Sequence, residues 1–180
     1  MIMRKKILWF TGMSGAGKSY YSSYIAKNYS NYKINILDGD IIRDKYEIPV
    51  GFTYKDICRN NLIIKDIVKD VYQNYDLTII SVISPYEDIR NQIKNEFKDD
   101  ISFIYMYADI ESLKERDTKD LYRKADNKEI LNLIGYSNKK ESRYEQPVCA
   151  DLTLDTSSGI EPSVNKEKLK YFLKSILNES

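Results

Sequence analysis

One stretch near the start of the 180-residue chain constrains its fold more than any other. Residues 12–19 read Gly-Met-Ser-Gly-Ala-Gly-Lys-Ser and match the pattern G-x-x-x-x-G-K-[ST]. The mostly apolar run Lys6 to Thr11 precedes the match, and a segment suited to a helix follows it. Such a run is typical of a strand buried on both faces of a parallel sheet. The pattern therefore predicts a strand, a glycine-rich turn and a helix, in that order.

A strand, turn and helix of this kind predict a phosphate-binding loop, or P-loop. The glycines allow successive backbone N–H groups to turn inward at the positive end of the helix, which creates a concave donor surface. In such a loop, Lys18 neutralises the β- and γ-phosphates and the Ser19 hydroxyl binds Mg²⁺. We therefore expect a nucleoside triphosphate and magnesium to bind at the following residues: Gly12, Met13, Ser14, Gly15, Ala16, Gly17, Lys18 and Ser19.

Further apolar runs predict the rest of a sheet, and segments with helical spacing of apolar residues separate them. The runs are Ile34–Leu37, Leu77–Ile83, Ile101–Tyr107 and Leu152–Leu154. The apolar helix faces consist of Ile63, Ile64, Ile67, Val68 and Val71 in one helix, and of Leu169, Phe172, Leu173 and Ile176 in the last helix, after Pro162. This alternation predicts an α/β fold, a P-loop three-layer sandwich with a mainly parallel sheet of about five strands. We expect a single domain over residues 1–180.

Residues 117–147 interrupt the alternation, because they contain many charged residues and no strand-like run. Segments of this length inside a compact domain are usually functional or disordered. We expect a mobile lid over a substrate, with a solvated surface loop as the alternative.

Two carboxylates follow the second apolar run, in the sequence Leu37-Asp38-Gly39-Asp40. The carboxyl ends of parallel strands face the crevice in which such sheets bind ligands. Asp40 is expected to accept a hydroxyl proton or to orient a magnesium-bound water. Asp38 is expected to hold the metal shell or to brace the loop. For the tripeptide alone, an ordinary turn is the alternative.

Composition excludes several functional classes. The chain has no histidine, which removes Ser-His-Asp hydrolysis and every zinc site that needs imidazole. With a net charge of +1, the chain has no overall positive field that would attract nucleic acid or an anionic membrane. Cys58 and Cys149 are far apart and predict two reduced thiols rather than a disulfide. The apolar run at residues 7–10 is too short for a signal peptide or a membrane span, so we expect a cytoplasmic protein.

The ordered motifs resemble the adenylylsulfate kinase family up to about residue 156. The matching pieces are residues 12–19, Leu37-Asp38-Gly39-Asp40 with Arg43, Gly51-Phe52-Thr53 with Asp56 and Asn60, Ile83-Ser84-Pro85-Tyr86, Arg116-Asp117 with Lys119, Leu121-Tyr122, Lys124-Ala125, Gly135, Tyr144-Glu145 with Pro147, and Leu154-Asp155-Thr156. The resemblance implies transfer of the ATP γ-phosphoryl to the 3′-hydroxyl of adenosine 5′-phosphosulfate. The product would be 3′-phosphoadenylylsulfate, which places the chain in sulfate assimilation.

The resemblance also implies residue roles. Asp40 would lie nearest the attacking hydroxyl, Arg43 would contact the phosphate–sulfate group, and Phe52 would stack on the acceptor base. The implied catalytic residues are Lys18, Asp40 and Ser84; the implied metal ligands are Ser19 and Asp38; and the implied substrate-binding residues are Asp38, Arg43, Phe52, Asn60, Ile83, Ser84, Lys119, Lys124 and Leu133. Ser84 matches a serine to which the family assigns a phosphoserine intermediate. We expect direct transfer instead, because no histidine is present to activate a hydroxyl.

The chain departs from the family mainly on the acceptor side. Ile57 and Glu87 stand where the family usually has arginine, and Leu133 stands where it has an aromatic residue. These changes predict a pocket that binds an anion more weakly. Arg59 or Arg143 are candidates to replace the missing arginines. Ile41 replaces an asparagine, and residues 138–143 extend the lid.

Two alternatives therefore remain open. The first is a related kinase acting on another nucleotide, such as cytidine diphosphoramidate in capsule synthesis. The second is a non-catalytic nucleotide-binding regulatory protein. The expected partner is a small nucleotide acceptor, with no nucleic acid and no membrane, and a homodimer is left open.

Overall fold

The computed structural model describes residues 5–48 and 51–177 and contains a sheet of five parallel strands. The strands are β1 (Lys6–Thr11), β2 (Ile34–Asp38), β3 (Leu77–Ser81), β4 (Ile101–Tyr107) and β5 (Leu152–Asp155). Their order across the sheet is β2-β3-β1-β4-β5. Trp9 at the middle of β1 pairs with Ile80 of β3 on one side and with Phe103 of β4 on the other. The end of β1 therefore lies at the centre of the sheet edge.

Helices cover both faces of this sheet. They are α1 (Lys18–Asn28), α2 (Gly39–Lys45), α3 (Tyr54–Val71), α4 (Glu87–Phe97), α5 (Ile110–Arg116), α6 (Leu121–Asp126) and α7 (Pro162–Leu177). Successive β1 side chains point to opposite faces, so Leu8 and Phe10 belong to one core and Ile7 and Trp9 to another. The first core packs against α1 and α7, and the second against α3 and α4. This arrangement confirms the predicted three-layer α/β fold.

The apolar faces predicted for α3 and α7 are confirmed. Ile64 and Val68 of α3 and Leu169 and Leu173 of α7 are buried in the two cores. A capping box fixes the start of α3, since the Thr53 side chain accepts from the Asp56 backbone N–H while the Asp56 carboxylate accepts from the Thr53 backbone N–H.

Two local predictions need correction. The third run extends as a strand only to Ser81, because the chain then bends into a turn in which Ser84 has a φ of 44°. The ordinary-turn alternative for Asp-Gly-Asp is wrong as well. Gly39 and Asp40 form the first turn of α2, and the Asp38 carboxylate caps that helix by accepting from the Asp40 backbone N–H at 3.0 Å.

Both cysteines are free thiols, Cys58 buried and Cys149 exposed. Within the described residues, no helix combines the length and the apolar character that crossing a membrane requires.

Candidate active site

The glycine-rich loop connects β1 to α1 at the centre of the sheet edge. The Gly12 backbone N–H donates to the Ile83 carbonyl at 3.3 Å, which ties the loop to the segment after β3. A Cβ at Gly12 would lie 2.5 Å from the Met106 carbonyl oxygen, so only glycine fits there. Gly17 has a φ of 89° and no side chain caps the start of α1. The first backbone N–H groups of this helix are thus available to an anion.

Lys18 lies over this loop with its ammonium turned onto the loop backbone. Its Nζ donates to the Gly12 and Met13 carbonyls, each at 2.8 Å. Burial above all, together with the charge of the nearby Lys119, lowers the Lys18 pKa to about 7, and Asp38 opposes the shift. A bound triphosphate would favour the charged ammonium, because an anion near a cation stabilises the ionised form.

The predicted carboxylates lie beside the loop. The Ser19 hydroxyl donates to Asp38 Oδ2 at 2.7 Å. The Asp40 carboxylate is half-exposed and forms ion pairs with Arg43 and with Lys119 of the lid segment. A hydroxyl next to one carboxylate fits Mg²⁺, which is usually held by one or two carboxylates, several waters and substrate phosphates. The described residues contain no group of three or more acidic, cysteine or histidine side chains that could form an all-protein cage.

A cavity of about 1190 Å³ brings most of the predicted site residues together. Those that line it are Ser14, Gly15, Gly17, Lys18, Ser19, Asp38, Asp40, Arg43, Phe52, Asn60, Ile83, Ser84, Lys119 and Leu133. The volume is large enough for more than one ligand, since drug-sized ligand sites occupy roughly 300–1,000 Å³. Phosphate loop, carboxylates and acceptor-side residues therefore share one space.

Four predicted residues do not line this cavity. Gly12 and Ala16 belong to the loop but are buried, and Met13 faces a second cavity of about 560 Å³. Lys124 lies on α6, and the structure does not bring it to the phosphate loop with Lys119.

Ser84 lies against the cavity, but its side chain is committed to two neighbours. The residue is 1% exposed, its Oγ accepts from Trp9 Nε1 at 2.8 Å, and it donates to Asn61 Oδ1 at 2.6 Å. These two contacts hold the hydroxyl in place, whereas a hydroxyl nucleophile needs a free path to its target and a base to take its proton.

Two acceptor-side expectations are wrong. Glu87 does not enter the cavity, because it pairs with the buried Arg90 three residues later on α4. Its carboxylate is therefore not part of the cavity lining, although position 87 still lacks the arginine of the family. Neither Arg59 nor Arg143 lines the cavity, and Arg143 faces the second cavity instead. Ile57 and Leu133 do line the large cavity, so those two departures alter the site itself.

Sequence reasoning missed the role of Arg90. This residue is 3% exposed and donates to the carbonyls of Ser84 and Glu145, each at 2.7 Å. It thereby joins the turn after β3 to the end of the lid segment. The spacing of Glu87 and Arg90, three residues apart at the start of a helix, was the available signal.

Two motif residues for which the sequence predicted no role, Arg116 and Tyr122, hold the phosphate loop through its backbone carbonyls. Arg116 donates to the Gly15 carbonyl at 3.2 Å and to the Thr156 carbonyl. The Tyr122 hydroxyl donates to the Ser14 carbonyl at 2.8 Å. These contacts fix the loop conformation from α5, α6 and the end of β5.

The parallel sheet with this strand order, the glycine-rich loop after β1 and the adjacent carboxylates define a P-loop kinase. A sequence model described as adenylylsulphate kinase matches residues 4–155. The chain belongs to the adenylylsulfate kinase family.

Individual relatives agree with this assignment. The adenylyl-sulfate kinase of Bacillus licheniformis is 30% identical over 171 residues, which cover 93% of this chain and 85% of that protein. The adenylyl-sulfate kinase of Halothermothrix orenii is 36% identical over 162 residues, which cover 88% of this chain and 85% of that protein.

Solved structures share the fold. The Mycobacterium tuberculosis APS kinase CysC, in complex with AMPPNP and APS, superimposes with a TM-score of 0.84 at 24% identity, over 96% of this chain and 99% of that one. The shikimate kinase of Aquifex aeolicus superimposes with a TM-score of 0.58 at 15% identity, over 97% of this chain and 99% of that one.

Proposed function

We propose that this chain is an adenylylsulfate kinase, which transfers the γ-phosphoryl of ATP to the 3′-hydroxyl of adenosine 5′-phosphosulfate. The observation that carries the proposal is the shared cavity, which places the phosphate loop, Asp40 and the acceptor-side Phe52 and Leu133 around one space. The relatives named adenylyl-sulfate kinase support the choice of acceptor.

On the donor side, the backbone N–H groups of the loop would hold the triphosphate and Lys18 would leave the loop carbonyls for the β- and γ-phosphates. Phosphoryl transfer depends mainly on in-line positioning and on neutralising charge, and these groups supply both. Ser19 and Asp38 would hold Mg²⁺, which supplies charge neutralisation at the phosphates when bound.

On the acceptor side, Asp40 would accept the proton of the attacking hydroxyl. Its carboxylate is accessible and lies at the start of α2, between Arg43 and Lys119. Phe52 is 55% exposed and Leu133 is buried, so together they offer an aromatic face and an aliphatic surface for the base.

We propose that residues 117–147 act as a lid. Lys119 bridges from this segment to Asp40, and Glu145 at its far end is fixed to the turn after β3. Closure between these points would exclude water from the γ-phosphate and prevent wasteful hydrolysis.

Turnover with two acceptors tests the proposal. ADP release is measured with ATP, Mg²⁺ and either adenosine 5′-phosphosulfate or cytidine diphosphoramidate, with Asp40→Asn as the matched control. Because Ile57 and Leu133 reshape the acceptor side, the cytidine compound is the rival to exclude. We expect turnover with adenosine 5′-phosphosulfate, a rate at least about 100-fold lower in Asp40→Asn, and ATP affinity within about two-fold.

The contrary outcomes are distinct. Turnover with the cytidine compound alone would identify the rival kinase. ATP binding without acceptor-dependent ADP release would identify a non-catalytic nucleotide-binding protein.

A further inference from the structure

The positively charged side chains around the large cavity differ in whether another group of the protein already pairs with them. Among residues 5–48 and 51–177, the five that line it are Lys18, Arg43, Arg116, Lys119 and Lys139. Lys18 donates to loop carbonyls, Arg43 and Lys119 pair with Asp40, and Arg116 donates to backbone carbonyls. In the part of the chain that the structure describes, Lys139 has neither a hydrogen bond nor an ion pair from its ammonium group, although it lines the same cavity.

Backbone contacts place Lys139 on the acceptor side of this cavity. The Ser142 N–H donates to the Lys139 carbonyl at 2.9 Å, which forms a tight turn. The next residues run along the turn after β3, because the Tyr86 hydroxyl donates to the Glu141 carbonyl and the Glu145 N–H donates to the Pro85 carbonyl at 2.8 Å.

The turn after β3 is also joined to α3, the helix on the acceptor side. The Ser84 hydroxyl donates to Asn61 of α3, next to Asn60 and one helical turn after Ile57. All three of these α3 residues line the cavity. An apolar Ile57 offers no charge there, so an anion on this side lacks a cation from α3.

We infer that Lys139 binds the anionic 5′ end of the acceptor and thereby replaces the charge that Ile57 does not supply. The inference rests on the proposed function, because it assigns the phosphate–sulfate group of that acceptor to a residue. An ammonium suits this role, since it can contact a phosphate or sulfate oxygen as a compact point charge. Lys139 belongs to the lid segment, so acceptor binding would also hold that segment against the site.

Paired neutral substitutions test the assignment. Lys139→Gln removes the charge from an exposed side chain and leaves the fold intact. Lys140→Gln removes the same charge from the adjacent exposed residue, which lines neither the large cavity nor the second one. The KM values for adenosine 5′-phosphosulfate and for ATP are measured for both variants, at low and high salt.

Lys139→Gln should raise the acceptor KM by roughly two- to five-fold at low salt, and leave the KM for ATP unchanged. Lys139→Arg should restore the acceptor KM, and high salt should shrink the difference because screening weakens the contact. Lys140→Gln should behave as the unmodified protein does.

Equal acceptor KM values for Lys139→Gln and the unmodified protein would overturn the inference, as would equal losses in Lys139→Gln and Lys140→Gln. These results leave the proposed function standing, since the unmodified protein still turns over. Absence of any acceptor-dependent ADP release in the unmodified protein would overturn both.

Discussion

Replacing Arg90 by methionine tests the connection between the lid segment and the acceptor-side turn. The guanidinium donates to the carbonyls of Ser84 and Glu145 at 2.7 Å and pairs with Glu87. Methionine fills much of the same volume but donates no hydrogen bond. The Ser84 carbonyl would keep only the Thr11 hydroxyl at 3.2 Å, and the left-handed backbone of Ser84 would lose its main support.

The size of the effect follows from these contacts. A hydrogen bond to a charged group contributes about 1.5 to 3 kcal/mol, and two such bonds are lost. The carboxylate of Glu87 is 27% exposed and can turn toward water, so its own penalty is small. We therefore expect the free energy of unfolding to fall by about 3 to 5 kcal/mol.

Urea unfolding of the unmodified protein, Arg90→Met, Glu87→Gln and the double variant measures this loss. The double variant should lose about 1 kcal/mol less unfolding free energy than the two single variants lose in total. The reason is that either single substitution already breaks the Arg90–Glu87 ion pair. In the same samples the acceptor KM should rise more than the KM for ATP. An unfolding free energy for Arg90→Met within about 0.5 kcal/mol of the unmodified protein would refute the reasoning, because that is the scatter of neutral surface changes.

Three further substitutions probe the site. Ser84→Ala should lower the free energy of unfolding by about 1 to 3 kcal/mol, because Trp9 and Asn61 lose their partner. Its ADP release should stay within about ten-fold of the unmodified protein, and a loss beyond about 1,000-fold would favour a phosphoserine intermediate. Ser19→Ala should raise the Mg²⁺ concentration needed for half-maximal turnover, and an unchanged magnesium dependence would remove Ser19 from the metal site. Gly12→Ala should lower the urea stability by about 2 to 3 kcal/mol because its Cβ meets the Met106 carbonyl, and unchanged stability would contradict the close approach.

The sequence predicted the sheet and the phosphate loop because both depend on local signals. Continuous apolar runs are typical of central parallel strands, and the loop motif needs a strand before it and a helix after it. The helix α2 was not predicted, since Gly39 and Asp40 are weak helix formers. Its start depends on the cap that Asp38 supplies, and that cap becomes visible only in three dimensions.

The acceptor side was less predictable, because the partners of its charged residues are distant in the chain. The sequence predicts that Glu87 places a negative charge in the anion pocket. In the structure this carboxylate pairs with Arg90 instead. Arg143 and Lys139 belong to the same lid segment, yet they face different cavities. Sequence spacing cannot resolve such directions in the part of the lid segment after α6, where the backbone is mostly irregular. The mobility of the lid and the single-domain organisation stay predictions.

The most direct measurement identifies the phosphorylated product. The chain is incubated with Mg²⁺, ATP labelled at the γ-phosphate and adenosine 5′-phosphosulfate, and the products are separated by chromatography and mass spectrometry. The predicted result is label on the 3′-oxygen of the acceptor, in equal amount to ADP, with label forming at least about 100-fold more slowly in Asp40→Asn. Label released only as inorganic phosphate, or an acceptor that stays unlabelled while ATP is bound, would contradict the account.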